Sequence, residues 1–532
     1  MTKRLTAALA LVTLLAACGG GSGGGPSGAD NSTLVLARVK DAVILDPSHA
    51  TDGLSLNTTS EVMQNLVQFK PGSFDVVPDV ARTWSRSADG KTWTFDLQPG
   101  LVFADGTPLD ANAVKFNFDR WRLTSHPAHG NFAYAYYADD FGGFPGAIAD
   151  VRAPSPTRVV IILAKPLGPF LRDIAEQSFG LGSPTAITND PKGFELKPVG
   201  SAAYQLAEWV RNDHITLVAN PKWRGPKPAY QTVIIRDIPD QATSVLSIEK
   251  GDIDMLTDPR PDDAKALAAK PGISVVQQPS NNVSYVAMET EKKPFGDARV
   301  RRAVAYALDA ATMAKSLYST GAVVADNWTP PGMLGENPAV KAYPHDVAKA
   351  RALLAQAGLP NGFTTTLMYP TAPRPYLPEP QRVAETIQAD LEQAGIHVTL
   401  QPYEFGVFLD NVRHGRHEMC LIGWTGDNGD PDNFFYPLLD QDSARKDGTA
   451  QNYSFWRDPA FHKLMLQGQA TVDDAGRAAV YRQANAMLHD QAPAVPLVHT
   501  TVPIVLKSSL KGFVPSPNTT YHFALIKPSA GP

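Results

Sequence analysis

Two side chains of opposite charge sit on backbone that has little freedom to move. Arg374 is held in the proline-framed run Tyr369-Pro-Thr-Ala-Pro-Arg-Pro-Tyr376, and Asp427 in the loop Gly423-Trp-Thr-Gly-Asp-Asn-Gly-Asp-Pro-Asp-Asn-Phe434, 53 positions further on. One acid and one base fixed in this way can grip the two ends of a zwitterion. The carboxylate accepts from an ammonium, and the planar guanidinium donates two parallel bonds to a carboxylate, which lysine could not reproduce. Gly and Asn tolerate positive φ and Pro431 fixes its own, so the Asp-rich stretch reads as a rigid loop after the apolar strand Met419-Cys-Leu-Ile-Gly-Trp424. Such loops carry binding side chains more often than packing ones. The plain alternative for these acids is a solvated turn.

Other chemistries fit poorly. Asp427, Asp430 and Asp432 suggest calcium, but a helical calcium loop wants acceptors at alternating positions, and Gly429 and Pro431 occupy two of them. His414 and His417 lack a third ligand at useful spacing, so that cluster is expected to be a solvated turn. The sequence has no Gly-x-Ser-x-Gly elbow, no phosphate-binding Gly-x-x-x-x-Gly-Lys and no paired-His zinc motif. No catalytic residue, cofactor or metal is expected.

The elements that must hold Arg374 and Asp427 alternate between strand and helix. Trp84 to Leu97 places Asp89-Gly90 between two alternating runs, a hairpin signal, and Asp105-Gly106 adds a second turn. Asp110 to Trp121 reads as a capped helix, and Ser60 to Phe69 has helical spacing. Asp297 to Leu308 is amphipathic, with Arg299, Arg301 and Arg302 read as a solvated face. Asp346 to Gly358 and Arg382 to Gly395 are further helices, each ended by glycine, and Val398 to Pro402 follows as a strand. Helices alternating with short strands imply an α/β core with partly parallel sheets. About 500 residues exceed one core, so at least two lobes are expected.

The chain opens with the basic Met1-Thr-Lys-Arg4, an apolar run from Leu5 to Leu15, and Leu15-Ala-Ala-Cys18. About a dozen apolar residues are too few to span a bilayer, for which ~20 are needed, so 1–17 reads as a lipoprotein signal peptide with Cys18 as the lipidated residue. Residues 18–32, rich in Gly and Ser, read as a flexible tether. Removing 1–17 takes away Lys3 and Arg4 and no acid, moving the formal charge from −5 to −7. A mildly acidic chain without basic blocks is a poor nucleic-acid binder. With Cys18 lipidated only Cys420 is left, so no disulfide forms within the chain, and its apolar neighbours mark a buried thiol.

The words GWTGDNGDPDNF, with the element Arg374-Pro-Tyr376 ahead of them and the run of turns from Val77 to Trp121, resemble family 5 solute-binding proteins of peptide ABC transporters, and among them the dipeptide-binding members. The resemblance implies a two-lobed, periplasmic-binding-protein-like α/β fold of the class II or cluster C type. An extra subdomain belongs to the first lobe, and hinge strands join the lobes. On that pattern 33–74 begins lobe I, 75–197 is the extra subdomain, 198–290 continues lobe I, 291–489 is lobe II and 490–532 returns to lobe I. The crossings then fall near Lys292-Lys-Pro-Phe and Gln491 to Pro496.

What the resemblance implies for function is a receptor rather than an enzyme. Asp427 takes the ammonium of a dipeptide and Arg374 its carboxylate. Thr51, Asp52 and Gly53 contribute from lobe I, and Pro375, Tyr376, Trp424, Thr425 and Gly426 complete the walls. Each added residue moves a peptide terminus by ~3.3–3.6 Å, so two fixed charges act as a ruler. The expected partners are the peptide, the permease of an ABC transporter with its ATPase subunits acting indirectly, and a membrane through the N-terminal lipid. The protein is expected to be an extracytoplasmic monomer, periplasmic or at the cell surface. Pro373 and one extra residue before Arg374 depart from the family pattern, as does the absence of its cysteine pair after the loop, and the first departure leaves strict length open. The competing ligands are longer peptides, glutathione, haem or oligosaccharides on the same fold, and the competing class is a lipid-anchored hydrolase.

Overall fold

The computed structural model describes residues 32–529. The expected signal segment, Cys18 and the tether up to residue 31 lie outside the described residues.

Strand Thr33–Arg38 is the hub of a seven-stranded mixed sheet. It pairs in parallel with Thr232–Asp237 on one side and Met255–Thr257 on the other, and antiparallel strands extend both flanks: His214–Ala219 and Tyr204–Val210 on one, Thr501–Lys507 and Ile273–Pro279 on the other. Alternation does the sorting. Leu34 and Leu36 are buried with Val233 and Ile235 on one face, while Ala37, Leu256 and Val505 pack on the opposite one.

A six-stranded sheet forms the second lobe, in the order Val323–Val324, Ala494–His499, Asn282–Met288, Met419–Thr425, Phe363–Pro370, Ile396–Tyr403. Phe363–Pro370 runs parallel to both of its neighbours, and the rest is antiparallel. Its core joins Val286, Leu367, Ile422 and Phe435. Cys420 is buried there as a free thiol, and burial pushes its ionisation up.

A four-stranded antiparallel sheet, Ala81–Arg86, Thr92–Leu97, Arg158–Leu163, Ile148–Ser155, has a third core built around Phe95, Phe118, Trp121 and Ile161. The hairpin expected at Asp89-Gly90 forms, with Gly90 at a φ of 73°. Asp110 caps the helix Ala111–Arg122, accepting from the Asn112 and Ala113 amides at 2.9 and 3.0 Å.

Three local expectations need correction. The helix lies at Gly53–Thr59, not over Ser60 to Phe69. The apolar stripe Val62, Met63 and Leu66 is buried in irregular chain, and Val67–Phe69 is a strand paired with Val76–Pro78. Arg301 is not on a solvated face: it is 3% exposed and donates to the carbonyls of Phe295, Gly296, Gln491 and Ala492, a loop-binding task that charge pattern does not reveal. His417 is fully buried, its Nε2 2.7 Å from the Tyr453 carbonyl, and burial holds its pKa down to about 4.

The chain passes between the two large sheets at Ser280-Asn281, which links Ile273–Pro279 to Asn282–Met288, and at Thr500, which links Ala494–His499 to Thr501–Lys507. The change of sheet therefore falls before 290/291 and after 489/490, the positions expected from the proline-bearing segments. Pro496 sits inside its strand beside a register shift against Ser284/Tyr285, so that proline marks an irregularity rather than a crossing. No helix among the described residues is long and apolar enough to cross a membrane.

Candidate functional site

Arg374 and Asp427 sit beyond the carboxyl ends of adjacent parallel strands. Phe363–Pro370 pairs with Met419–Thr425, Leu367 opposite Met419 and Met368 opposite Cys420, and the chain leaves the first strand toward Arg374 and the second toward Asp427. Parallel strands lie about 4.8 Å apart, and the crevice outside their carboxyl ends is where open α/β sheets bind ligands.

The Arg374 turn is closed by two backbone bonds, Arg374 N–H to the Leu377 carbonyl at 3.0 Å and Leu377 N–H to the Arg374 carbonyl at 2.8 Å. Between them the Pro375 carbonyl accepts from Thr500 Oγ1 at 2.9 Å, fastening the turn to a sheet crossing. Tyr376 is buried over Gly423, where a Cβ would come within 2.3 Å of its ring, so the glycine is needed for the close approach. The guanidinium carbon stands 3.5 Å from the centre of the Phe405 ring, and Nε has no hydrogen-bond partner among the described residues. The stacked ring orients a planar fork toward the cavity.

The Asp-rich loop is fixed just as firmly. The Gly426 amide donates to the Asn281 carbonyl at 2.6 Å, at the other sheet crossing. Asn428 Nδ2 donates to Asp173 at 2.9 Å, and its Oδ1 accepts from the Asp430 amide at 2.9 Å. Asp430 receives both forks of Arg477 at 2.6 Å, with both side chains fully buried. The guanidinium holds the Asp430 carboxyl below the usual carboxylate range against the opposing effect of burial. Asp432 begins the helix Asp432–Leu439 and accepts from Gln469 and Tyr481 at 3.0 and 3.2 Å.

Asp427 is the exception among these acids. Its carboxylate receives only long bonds, from Tyr136 at 3.4 Å and from Asn433 Nδ2 at 3.5 Å, while its amide is held by Asn433 Oδ1 at 3.0 Å. Burial, with Asp139 adding repulsion, pushes it up to about 7. A half-buried carboxylate in need of a positive partner is what an ammonium-binding site requires.

A cavity of about 890 Å³ joins these parts. Of the expected residues, Thr51, Arg374, Pro375, Tyr376, Trp424, Thr425 and Asp427 line it. Asp52, Gly53 and Gly426 do not. Asp52 caps the helix Gly53–Thr59, accepting from the Ser55 amide at 2.9 Å and its hydroxyl at 2.7 Å, and Gly53 is the first residue of that helix. At Gly426 a Cβ would come within 2.4 Å of the Phe434 ring, so its task is close packing behind the wall.

The structure also brings in residues that sequence reasoning did not single out: Tyr136, Asp139, Asp140 and Asp173 from the extra subdomain, and Phe405 and Arg413 from the second lobe. Nothing local marks them. Ala135-Tyr-Tyr-Ala-Asp-Asp-Phe141 is a short helix of ordinary composition whose partner, Asp427, is 291 positions away.

Buried carboxyls give the molecule a pH signature. Burial pushes Asp79 up to about 7 and Glu61 up to about 8, and Asp432 stands at about 7 through burial with Asp430 adding to it. The native carboxyls keep protons that the unfolded chain has released, so this stability is full below the ordinary carboxylate range and is lost as pH rises through about 7 to 8. His49, His417 and His522, held down to about 4 mainly by burial, are neutral in the native protein but half protonated in the unfolded chain at pH ~6.5, so each opposes the trend by only about 0.4 kcal/mol as the unfolded imidazole loses its proton. The unfolding free energy of the ligand-free protein, measured by denaturant titration, should therefore fall from pH ~6.5 to ~8.5, by roughly 1 kcal/mol for each of these buried carboxyls. A flat or rising profile across that range would contradict this ionisation pattern.

Residues 75–446 match the family described as bacterial extracellular solute-binding proteins, family 5 Middle. The chain belongs to this family. It is 34% identical over 503 residues to the dipeptide-binding protein of Escherichia coli K12, covering 92% of this chain and 94% of that one. It is 30% identical to heme-binding protein A of Haemophilus influenzae, with 97% of each covered. Among solved structures it is similar to the ABC transporter-associated periplasmic binding protein DppA from Helicobacter pylori in complex with the peptide STSA. That likeness has a TM-score of 0.79 and 30% identity, over 94% of this chain and 98% of the other. This family 5 protein is thus a solute receptor of ABC import that works outside the cytoplasm, with the periplasmic-binding-protein fold expected from its sequence.

Proposed function

We propose that the receptor captures dipeptides, with Asp427 on the ammonium and Arg374 on the carboxylate, and delivers them to its permease while tethered to a membrane through lipidated Cys18. One observation carries this reading. An underbonded carboxylate and a guanidinium with an unpartnered Nε face one cavity from the ends of adjacent strands. Both ends of a zwitterion lose water on entry, and each needs a charged, hydrogen-bonding partner in return. Thr51 and Tyr136 reach the same cavity from the first lobe and its subdomain, so a bound peptide touches both sides. Only such a ligand favours closure, because population shifts follow differential contacts. No step changes the peptide: its role ends at release to the permease, and intact peptide should be recovered after prolonged incubation.

The cavity volume favours one second reading, a longer peptide. About 890 Å³ lies toward the upper end of the ~300–1,000 Å³ range of small-ligand sites. The related Helicobacter pylori protein is described with the peptide STSA, and the Haemophilus influenzae relative as heme-binding. Calorimetry with di-, tri- and pentapeptides of alanine, and with haemin, separates these ligands. The dipeptide is expected to bind at least roughly tenfold tighter than the pentapeptide, about 1.4 kcal/mol. Equal affinity at all lengths would sink the ruler, and tight haemin binding without peptide binding would overturn the peptide reading altogether.

A further inference from the structure

Three carboxyls meet in the electrostatic reach of Asp427. One oxygen from each of Asp140, Asp173 and Glu176 lies within 4.8 Å of the others. Asp173 and Glu176 are only 2% and 3% exposed, yet Asp173 Oδ2, Glu176 Oε1 and Asp140 Oδ2 have no hydrogen-bond partner among the described residues. Their remaining ties are few: Asp173 accepts from Asn428 at 2.9 Å, and Glu176 from Ser178 at 3.5 Å. Asp140 and Asp173 line the cavity, and Glu176, which does not, brings an oxygen within 4.8 Å of theirs. Buried carboxyl oxygens are rarely left unbonded without a reason, because each costs its full desolvation.

The arrangement suits one kind of partner. Three points all within 4.8 Å of one another share a centre no further than about 2.8 Å from each, which is the length of a charge-assisted N–H···O bond. A primary ammonium has three N–H donors for three oxygens. Calcium would need six to eight oxygen ligands at ~2.3–2.6 Å and magnesium a tighter octahedron, whereas each residue here offers one unpartnered buried oxygen, the second oxygens of Asp173 and Glu176 being held by Asn428 and Ser178. The cluster is electrostatically linked to Asp427, since Asp427 adds repulsion at both Asp140 and Glu176. A cation placed among these groups would relieve all of them.

We propose that Asp140, Asp173 and Glu176 form a second cation subsite, which takes the side-chain ammonium of the ligand's first residue. This rests on the dipeptide reading above and deepens it: the receptor prefers peptides that begin with lysine or a similar diamino acid. Asp427 holds the α-ammonium, and the neighbouring subsite takes the side-chain cation of that same residue.

Calorimetry with Lys-Ala, Met-Ala and Ala-Lys tests it, since methionine has nearly the reach of lysine without its charge. Lys-Ala should bind at least tenfold tighter than Met-Ala, Ala-Lys should show no such gain, and E176Q should remove the gain while leaving Met-Ala affinity unchanged. If E176Q does not fold, D140N, at a half-buried position, should reduce the Lys-Ala to Met-Ala ratio in the same way. Equal affinity of Lys-Ala and Met-Ala in the unaltered protein would overturn the subsite and leave the dipeptide reading standing. Equal weakening of both peptides by E176Q would assign the cluster to the α-ammonium or to the fold, and would also overturn it. So would binding of calcium or manganese alone, abolished by E176Q, without a lysine gain. Failure of all three peptides to bind would sink the dipeptide reading itself, and the subsite with it.

Discussion

Arg477→Leu should lower unfolding free energy by about 3–5 kcal/mol, the scale on which breaking a buried ion pair destabilises a protein. Arg477 is fully buried, places both forks on Asp430 at 2.6 Å and donates Nε to the Gly468 carbonyl at 3.1 Å. Leucine fills part of the volume but leaves Asp430 charged, buried and opposed by nothing nearer than Arg172 at 3.6 Å. The damage should spread along the loop. Asp430 supports the Asp432 amide at 3.0 Å and is itself braced by Asn428, so the whole loop that carries Asp427 loses its anchor. Denaturant unfolding followed by tryptophan fluorescence measures the first effect and dipeptide calorimetry the second. The pair Asp430→Asn with Arg477→Leu should recover part of the stability, because the unpaired charge is gone. A midpoint for Arg477→Leu within error of the parent would show that the pair does not hold this loop.

Asp427→Asn should weaken dipeptide binding by at least roughly tenfold, about 1.4 kcal/mol, at neutral pH. Asparagine keeps the size and the polar contacts with Tyr136 and Asn433 while removing the charge. The pH dependence makes the test sharper. Since burial pushes Asp427 up to about 7, the parent protein should bind an ammonium ligand progressively less well as pH falls below that value. The variant, with no carboxylate to protonate, should lose that dependence. Full affinity in Asp427→Asn would remove Asp427 from the site, whatever its surroundings.

Much of this was readable from the sequence because its cause is local. Asp89-Gly90 makes a hairpin through positive φ, Asp110 caps a helix through its own carboxylate, and prolines and glycines frame Arg374 and Asp427 as rigid. Alternation and helical spacing then gave the α/β class. Contributions made across long stretches of chain were not readable. Asp173 meets Asn428 across 255 positions, and no composition near either predicts it. Asp52 enters the expected site through the family resemblance of Thr51-Asp52-Gly53, yet an aspartate just before a helix caps it, and the helical spacing of Ser60 to Phe69 points past the helix that forms at Gly53–Thr59. Arg301 and His417 show a related limit: a charged or ionisable side chain buried by backbone carbonyls looks, in one dimension, like any surface residue.

The shared sheet beneath Arg374 and Asp427 has a consequence for the order of events. Both groups ride on neighbouring strands of one lobe, so swinging the other lobe away leaves their spacing as it was. On the proposed reading, a gauge mounted on a single rigid body keeps its setting while the jaws stand open. A peptide of the wrong length is then refused at first encounter, before any closure has begun, and selectivity should appear in how fast the open complex falls apart rather than in how often the protein shuts.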